Sequence, residues 1–215
     1  MKTLRRDAVL VHERLLDAVE TLVQQKGVDF SFPELAQAAN VSSATVYRHF
    51  ENLEDLRNHY TMRVVDRLVG GMEELHEKID GIDLFLETCR VWISASASGA
   101  LVAARYRSTE GLLERQAQGR PHIVRLEACL TAALGQLVEL DVIPPQDLSV
   151  AALMWNAIFD ERVLIDLLQV LGWTLDQVID HLTATLMMSL GAHREVARRI
   201  VSAGPVNRAA HGVSE

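Results

Sequence analysis

Residues 31–50 read SFPELAQAANVSSATVYRHF, and this stretch decides the fold. Ser31 and Glu34 stand three apart, the spacing of a capping box, and Pro33 falls in the first turn, where no amide hydrogen is needed. A helix that starts there lasts to about Ala39. Asn40 tolerates the left-handed backbone of a tight turn. Ser42 then caps a second short helix, with Val41 and Val46 placed as a hydrophobic staple. Leu35, Ala36, Ala39, Val41 and Val46 are apolar or small at spacings that let two short helices cross closely, which is a helix-turn-helix.

The second helix turns Ser43, Ala44, Tyr47 and Arg48 outward, with Thr45 and His49 at its sides. Small and hydrogen-bonding side chains of this kind suit a helix lying in a major groove: hydroxyls bind phosphates, and an arginine reads a guanine or clamps a phosphate. No acidic residue occurs from Leu35 to Phe50. Val46 and Phe50 are expected in the core.

The pattern L-A-x-A-A-N-V-S-x-A-T-V-Y-x-H-F, followed by N-L-E-D-L, resembles the TetR family of bacterial transcriptional repressors over about residues 10–60. The resemblance implies a homodimer, a protomer of about nine helices, binding to a double-stranded DNA operator, and release when a small-molecule effector enters the C-terminal domain. Carried over to this chain, the DNA-contacting positions are Ser31 at the opening of the first short helix and Ser42 and Ser43 at the cap and start of the recognition helix. They continue with Ala44, Thr45, the phosphate-contacting Tyr47, the variable reading position Arg48, and His49. Three residues depart from the family pattern. Asn40 replaces the usual turn glycine, Pro33 replaces a side chain that in some relatives reaches a base, and Leu53 stands where a phosphate-binding lysine is common. Lys2, Arg5 and Arg6 are available to compensate.

Outward from this segment the chain reads as helix throughout, with no sustained two-residue alternation and no hairpin turn signal. The fold class is all-α: an N-terminal three-helix helix-turn-helix domain, then a helical ligand-binding and dimerisation domain. The first helix, about 5–26, carries Val11, Leu15, Ala18/Val19 and Leu22 on one stripe and stops at Gly27. A long helix starts at Asn52, a cap with Asp55 three residues on, and Gly70-Gly71 is a place for it to bend before it resumes towards Lys78. Helices follow at 82–98, near 100–107, at 121–140, 146–171 and 175–192. Thr174 and Gln177 form a capping box for the last. The division expected is 1–51 for the DNA-binding domain, 52–203 for the ligand and dimer domain, and 204–215 for a flexible tail.

The helices at 146–171 and 175–192 are apolar on more than one face, so each must be covered on two sides. Homodimerisation through about 146–192 is the expected reason; the other reading makes them the core of the larger domain. Phe85, Cys89, Trp92, Trp155, Asn156, Phe159 and Asp160, with Arg105 and Tyr106 from the connecting segment, are the candidate lining of a mostly apolar effector pocket with a few polar anchors. The alternative puts Phe85 and Trp92 in the core and pairs Asn156 and Asp160 across the dimer interface.

Composition bounds these readings. The chain has 215 residues, 49% hydrophobic and 23% charged, which excludes disorder as a whole. Two cysteines and eight scattered histidines lack metal-ligand spacing, so neither metal nor cofactor is expected. No 18-residue apolar run predicts a membrane span, and a cytoplasmic protein, nucleoid-associated when bound to DNA, is expected. No nucleophile triad, paired catalytic carboxylates or phosphate loop points to an enzyme. The net charge of −8 argues against polybasic binding. Residues 1–60 hold seven Lys/Arg against nine Asp/Glu, so most of the negative charge lies further along the chain. Non-specific DNA affinity should therefore be low, with specific contacts made twice by a dimer. The competing reading is a ligand- or protein-binding helical module with a vestigial helix-turn-helix.

Overall fold

In a computed structural model of the chain, residues 2–27, 29–105 and 112–204 are described. Among them there are eleven α-helices, one π-helical turn and no strand. The chain divides into two compact units, Met1–Val65 with Leu101–Arg107, and Asp66–Ala100 with Ser108–Glu215.

The first unit holds α1 (Lys2–Lys26), α2 (Phe32–Ala38), α3 (Ser43–His49) and the start of α4 (Leu53–His76). Each boundary has a local cause. Gly27 ends α1 in the left-handed region. Ser31 and Glu34 form the complete capping box on α2. Asn40 takes φ 52° in the turn, and Val41 N–H returns to Ala36 O at 2.9 Å. Ser42 accepts from Thr45 N at 3.2 Å to cap α3. Asn52 accepts from Asp55 N at 2.9 Å while Asp55 accepts from Glu51 N at 3.1 Å, closing the start of α4. The core joins Leu15, Leu16, Val19, Leu22, Phe32, Leu35, Val46 and Phe50 with Leu56 and Tyr60. The first turns of α4 carry the fourth wall of this core.

An ion cluster ties α1 to α4. The Arg63 side chain, only 9% exposed, reaches Asp17 at 2.6 Å, Glu20 at 3.3 Å and Glu13 at 3.4 Å, and donates to Glu13 O at 3.2 Å.

The second unit holds the end of α4, then α5 (Gly81–Arg105), α6 (Leu112–Ala117), α7 (Pro121–Glu139), α8 (Leu148–Ile158), α9 (Glu161–Ile165), α10 (Leu175–Ser189) and α11 (Arg194–Ala203). α4 runs through Gly70-Gly71 without a break, and Val91 of α5 lies 3.5 Å from the place a Cβ at Gly71 would occupy, an ordinary contact. Two expected helix bounds are corrected. The expected break near residue 99 is absent, and α5 runs on to Arg105. Residues 146–171 are not one helix. Asp160 caps a new one, and α9 runs into a π-helical turn, Asp166–Val170, closed by Leu171 N→Asp166 O at 2.9 Å. The basic stretch after Gly191 is a further helix, α11, capped by His193 and stopped at Gly204, φ 64°. The expected tail falls on 205–215, outside the described residues.

The loop between α10 and α11 holds a glycine that no other residue replaces freely. Gly191 takes φ 95°, and a Cβ there would stand 2.9 Å from Pro144 Cδ and Cγ. Gln146 Nε2 fixes the same corner by donating to Leu190 O at 2.9 Å and Pro144 O at 3.1 Å. Gly191→Ala is expected to cost about 1–2 kcal/mol through backbone strain and displacement of Pro144. A chemical denaturation midpoint equal to wild type would contradict this.

Candidate nucleic-acid interface and aromatic core

The recognition helix α3 is seven residues long and amphipathic by one-residue precision. Val46 is buried, while Ser42, Ser43, Ala44, Tyr47 and Arg48 are exposed and Thr45 and His49 are half-buried at the edges. Tyr47 is 61% exposed, and its ring stands edge-on to Phe32 with centroids 5.0 Å apart. Phe32 thus holds the phenol off the body of the head. Ser42 Oγ, Thr45 Oγ1 and Arg48 Nη2 form a chain along the helix at 2.9 and 3.4 Å, which sets the guanidinium beside the hydroxyls. Ser31 is exposed at the start of α2 and is engaged with Glu34. Lys26 binds that same carboxylate at 2.8 Å; the Lys26 ammonium and the Ser31 donors hold Glu34 down at about 2. This keeps Glu34 charged but neutralised in place. Pro33 is exposed in the first turn of α2, and Leu53 packs against the head core. The side chains of Lys2, Arg5 and Arg6 lie outside the description.

Sequence reading gave His49 a DNA role but missed its company. His12 of α1, His49 of α3 and His59 of α4 surround Phe50. The His12 ring lies 5.8 Å from His49, 5.1 Å from His59 and 5.0 Å from Phe50. His59 also meets Asp55 at 3.6 Å. Burial, then repulsion from His59 and His49, pushes the His12 imidazole below its ordinary 6.5; burial and Arg48 push His49 down. Both groups bind protons more weakly folded than unfolded, so the unfolded chain gains protons first as the pH falls. Their contribution to stability is complete above about pH 6.5 and is lost below it. Thermal melts are expected to drop by about 2–4 °C between about pH 7.5 and pH 5.5, and less in His12→Asn. An identical drop in the variant would exclude the cluster as the cause.

In the second unit four of the candidate effector residues pack on one another. Phe85 and Trp92 of α5 pack with Trp155 of α8 and with Phe159. Ring centroids are 5.0 Å for Phe85–Trp155, 6.5 Å for Trp92–Trp155, 6.1 Å for Trp92–Phe159 and 6.0 Å for Trp155–Phe159. All four are buried, and so is Cys89, whose thiol burial pushes up and keeps protonated. They form one buried aromatic cluster. Asn156 is half-buried. Asp160 is not an anchor one turn along the same helix. It caps α9, accepting from Arg162 N at 2.8 Å and from the Arg162 guanidinium at 3.1 and 3.0 Å. Tyr106 and the side chain of Arg105 lie outside the description. Trp155 Nε1, Thr88 Oγ1 and Thr183 Oγ1 are buried without a hydrogen-bond partner among the described residues, each at a cost of about 1–3 kcal/mol. Among the described residues, no group of three or more His, Cys, Asp or Glu is placed to hold a metal ion, and no helix is long and apolar enough to cross a membrane.

An open groove of about 390 Å³ lies between α10 and α11, with Trp173, Asp180, His181 and Arg198 along it. Trp173 meets His181 edge-on at 5.1 Å. Sequence reasoning missed it because its second wall is α11. The signal was present: Val196, Ala197, Ile200 and Val201 recur at helical spacing against Arg194, Arg198 and Arg199.

Comparison with known proteins bears on both units. Residues 15–60 match the model of the bacterial regulatory proteins, tetR family. An uncharacterized HTH-type transcriptional regulator of Mycobacterium tuberculosis is 28% identical over 130 residues, 60% of this chain. That match spans 63% of the relative, less than two thirds of its length. FadR from Bacillus subtilis, solved in complex with stearoyl-CoA, superposes with a TM-score of 0.65 at 18% identity, over 83% of this chain and 97% of that one. RolR, solved in complex with resorcinol, gives 0.61 at 16% identity over 98% of both chains. The capped α2–α3 turn, the outward hydroxyl-and-tyrosine face of α3 and the family match agree over residues 15–60, and this N-terminal segment is similar to the bacterial regulatory proteins, tetR family.

Proposed function

We propose that the protein is a ligand-responsive transcriptional repressor that leaves a pseudo-palindromic operator when a small molecule binds its second domain. The observation that carries this reading is the face of α3, where Ser42, Ser43, Ala44, Tyr47 and Arg48 are exposed together and residues 35–50 hold no carboxylate. With Ser31, Thr45 and His49 these residues are the DNA contacts of each head.

Two copies pair through about 146–192. Val150 and Met154 on α8, Val163 on α9, and Leu175 and Met188 on α10 are exposed large apolar residues on elements whose other sides are buried, which supports a partner face. Pairing sets two recognition helices at half-sites one helical turn apart or a multiple of it. The functional division is 1–51 for reading DNA and 52–203 for effector and partner, with 204–215 a tail, in the bacterial cytoplasm and on the nucleoid when bound.

The effector enters the aromatic core of Phe85, Cys89, Trp92, Trp155 and Phe159. In support, FadR and RolR were solved with stearoyl-CoA and resorcinol, and α8 is broken next to that core at Asp160. A molecule that binds better when the recognition helices are misspaced shifts the population away from the DNA-competent state.

Selection of random duplex DNA by the purified full chain tests the reading. A palindromic motif is expected after several rounds. Absence of any enriched palindrome would favour a helical module whose helix-turn-helix has lost its function.

A further inference from the structure

Residues 31–50 contain a single lysine or arginine, Arg48. It is exposed in the last turn of α3, yet its guanidinium is not thrown off the helix end. Nη2 donates to Thr45 Oγ1 at 3.4 Å, and Thr45 Oγ1 lies 2.9 Å from Ser42 Oγ. Ser42 is the cap of α3 and accepts from Thr45 N, so this chain of contacts ends on the start of the helix. The guanidinium is thereby drawn back by about a turn, the direction in which long helical side chains lean. The first turn it leans over carries Ser43 and Ala44, both small and exposed.

An exposed arginine meets DNA in one of two ways. A phosphate clamp reaches sideways to the wall of the groove and needs only charge, whereas a base reader presents its fork to the base edges. A recognition helix in the major groove contacts base edges with its N-terminal residues. The bond to Thr45 holds the Arg48 fork over that end of α3, and Ser43 and Ala44 have no bulk to keep it from the groove floor. Thr45 takes one Nη2 hydrogen of the five N–H donors, which leaves a parallel pair for two acceptors. In the major groove guanine is the base that offers two adjacent acceptors, O6 and N7. Tyr47, the other long side chain of the outer face, stands on Phe32 of α2, at the flank, and carries one hydroxyl, which suits a single phosphate oxygen. The two neighbours thus divide the work, Tyr47 placing the head on the backbone and Arg48 reading the sequence.

We infer that Arg48 determines the sequence specificity of each head by reading one guanine of its half-site, bidentate on O6 and N7. The inference rests on the operator reading given above and adds the base to it.

The test is selection of random duplex DNA by the full-length protein and by Arg48→Ala, followed by titration of the selected operator at several salt concentrations. Wild type is expected to enrich a palindrome in which one guanine per half-site is no longer demanded by Arg48→Ala, while the other positions are kept. Replacing that guanine by adenine in both half-sites should weaken wild-type binding by about a hundredfold, about tenfold for each head, and Arg48→Ala by about twofold at most. The dependence of affinity on salt should be the same for both proteins, since no phosphate contact is lost. A wild-type loss below about threefold on the base replacement would overturn the inference, even if Arg48→Ala enriches nothing. An Arg48→Ala protein that demands every base wild type demands, binds more weakly throughout and loses about two from its salt slope, one for each head, would make Arg48 a phosphate clamp. That result overturns the inference and leaves the operator reading standing, as would a variant equal to wild type in motif and affinity. No motif enriched by wild type would overturn the operator reading and this inference with it.

Discussion

Tyr47→Ala is expected to weaken operator binding by about a hundredfold while leaving the protein folded and paired. Tyr47 is exposed, stands off α3 on the Phe32 ring and lies on the acid-free face. A hydrogen bond to a charged group is worth about 1.5–3 kcal/mol, and a dimer makes the contact twice, so about 3 kcal/mol is lost, which is about a hundredfold. The folding cost is small. The ring loses one edge-to-face contact, about 0.5–1.5 kcal/mol, from a largely solvated position. Tyr47→Phe separates the two effects, since it retains the ring contact and removes only the hydroxyl. Electrophoretic shift with a selected operator, beside a melting curve and a sedimentation profile, reads all three quantities. A Tyr47→Ala protein that shifts operator at the wild-type concentration would remove Tyr47 from the interface.

Arg63→Ala is expected to have a large effect on the stability of the head. Its guanidinium is nearly enclosed and faces three carboxylates of α1, Glu13, Asp17 and Glu20, spaced along one stripe of that helix. Removing it leaves those charges to repel one another and opens a gap between α1 and α4. A fully buried pair broken in this way costs about 3–5 kcal/mol. The carboxylates here are 41–66% exposed and screened by water, which lowers the figure to about 2–3 kcal/mol and the Tm by about 5–10 °C. In a background of Glu13→Gln, Asp17→Asn and Glu20→Gln the same substitution should cost about half as much, because the repulsion is gone. An Arg63→Ala protein melting within 1 °C of wild type would show that apolar packing alone holds α1 to α4.

The head was legible because its instructions are local. The capping box at Ser31 and Glu34, the left-handed Asn40, the Ser42 cap and the Asn52 cap each need only a few neighbouring residues, and each is where the sequence puts it. Thr174 and Gln177 behave in the same way at the start of α10. The histidine cluster was not legible, since residues 12, 49 and 59 meet only after three helices have packed. Nor was the role of Asp160. An aspartate inside an apolar run looks like a polar anchor on a helix face, and only the broken ladder after Ile158 reveals a cap. At Gly71 α4 runs on unbroken, with Val91 at ordinary contact distance from the place of a Cβ. The aromatic residues at 85, 92, 155 and 159 pack together, and periodicity cannot distinguish rings that fill a core from rings that line a cavity.

The π-helical turn at Asp166–Val170 closes a short helix and does not interrupt a long one. Its bond from Leu171 N to Asp166 O spans five residues where an α-helix spans four. Gly172, φ 68°, ends the winding at once, and Trp173 N still reaches back to Leu167 O at 3.0 Å. The widened last turn leaves Val170 and Leu171 exposed where the chain leaves towards α10. No helical face follows it, so a residue gained or lost here would alter the length of the join to α10 and leave the core around Leu164 in place. The segment serves as slack in the chain.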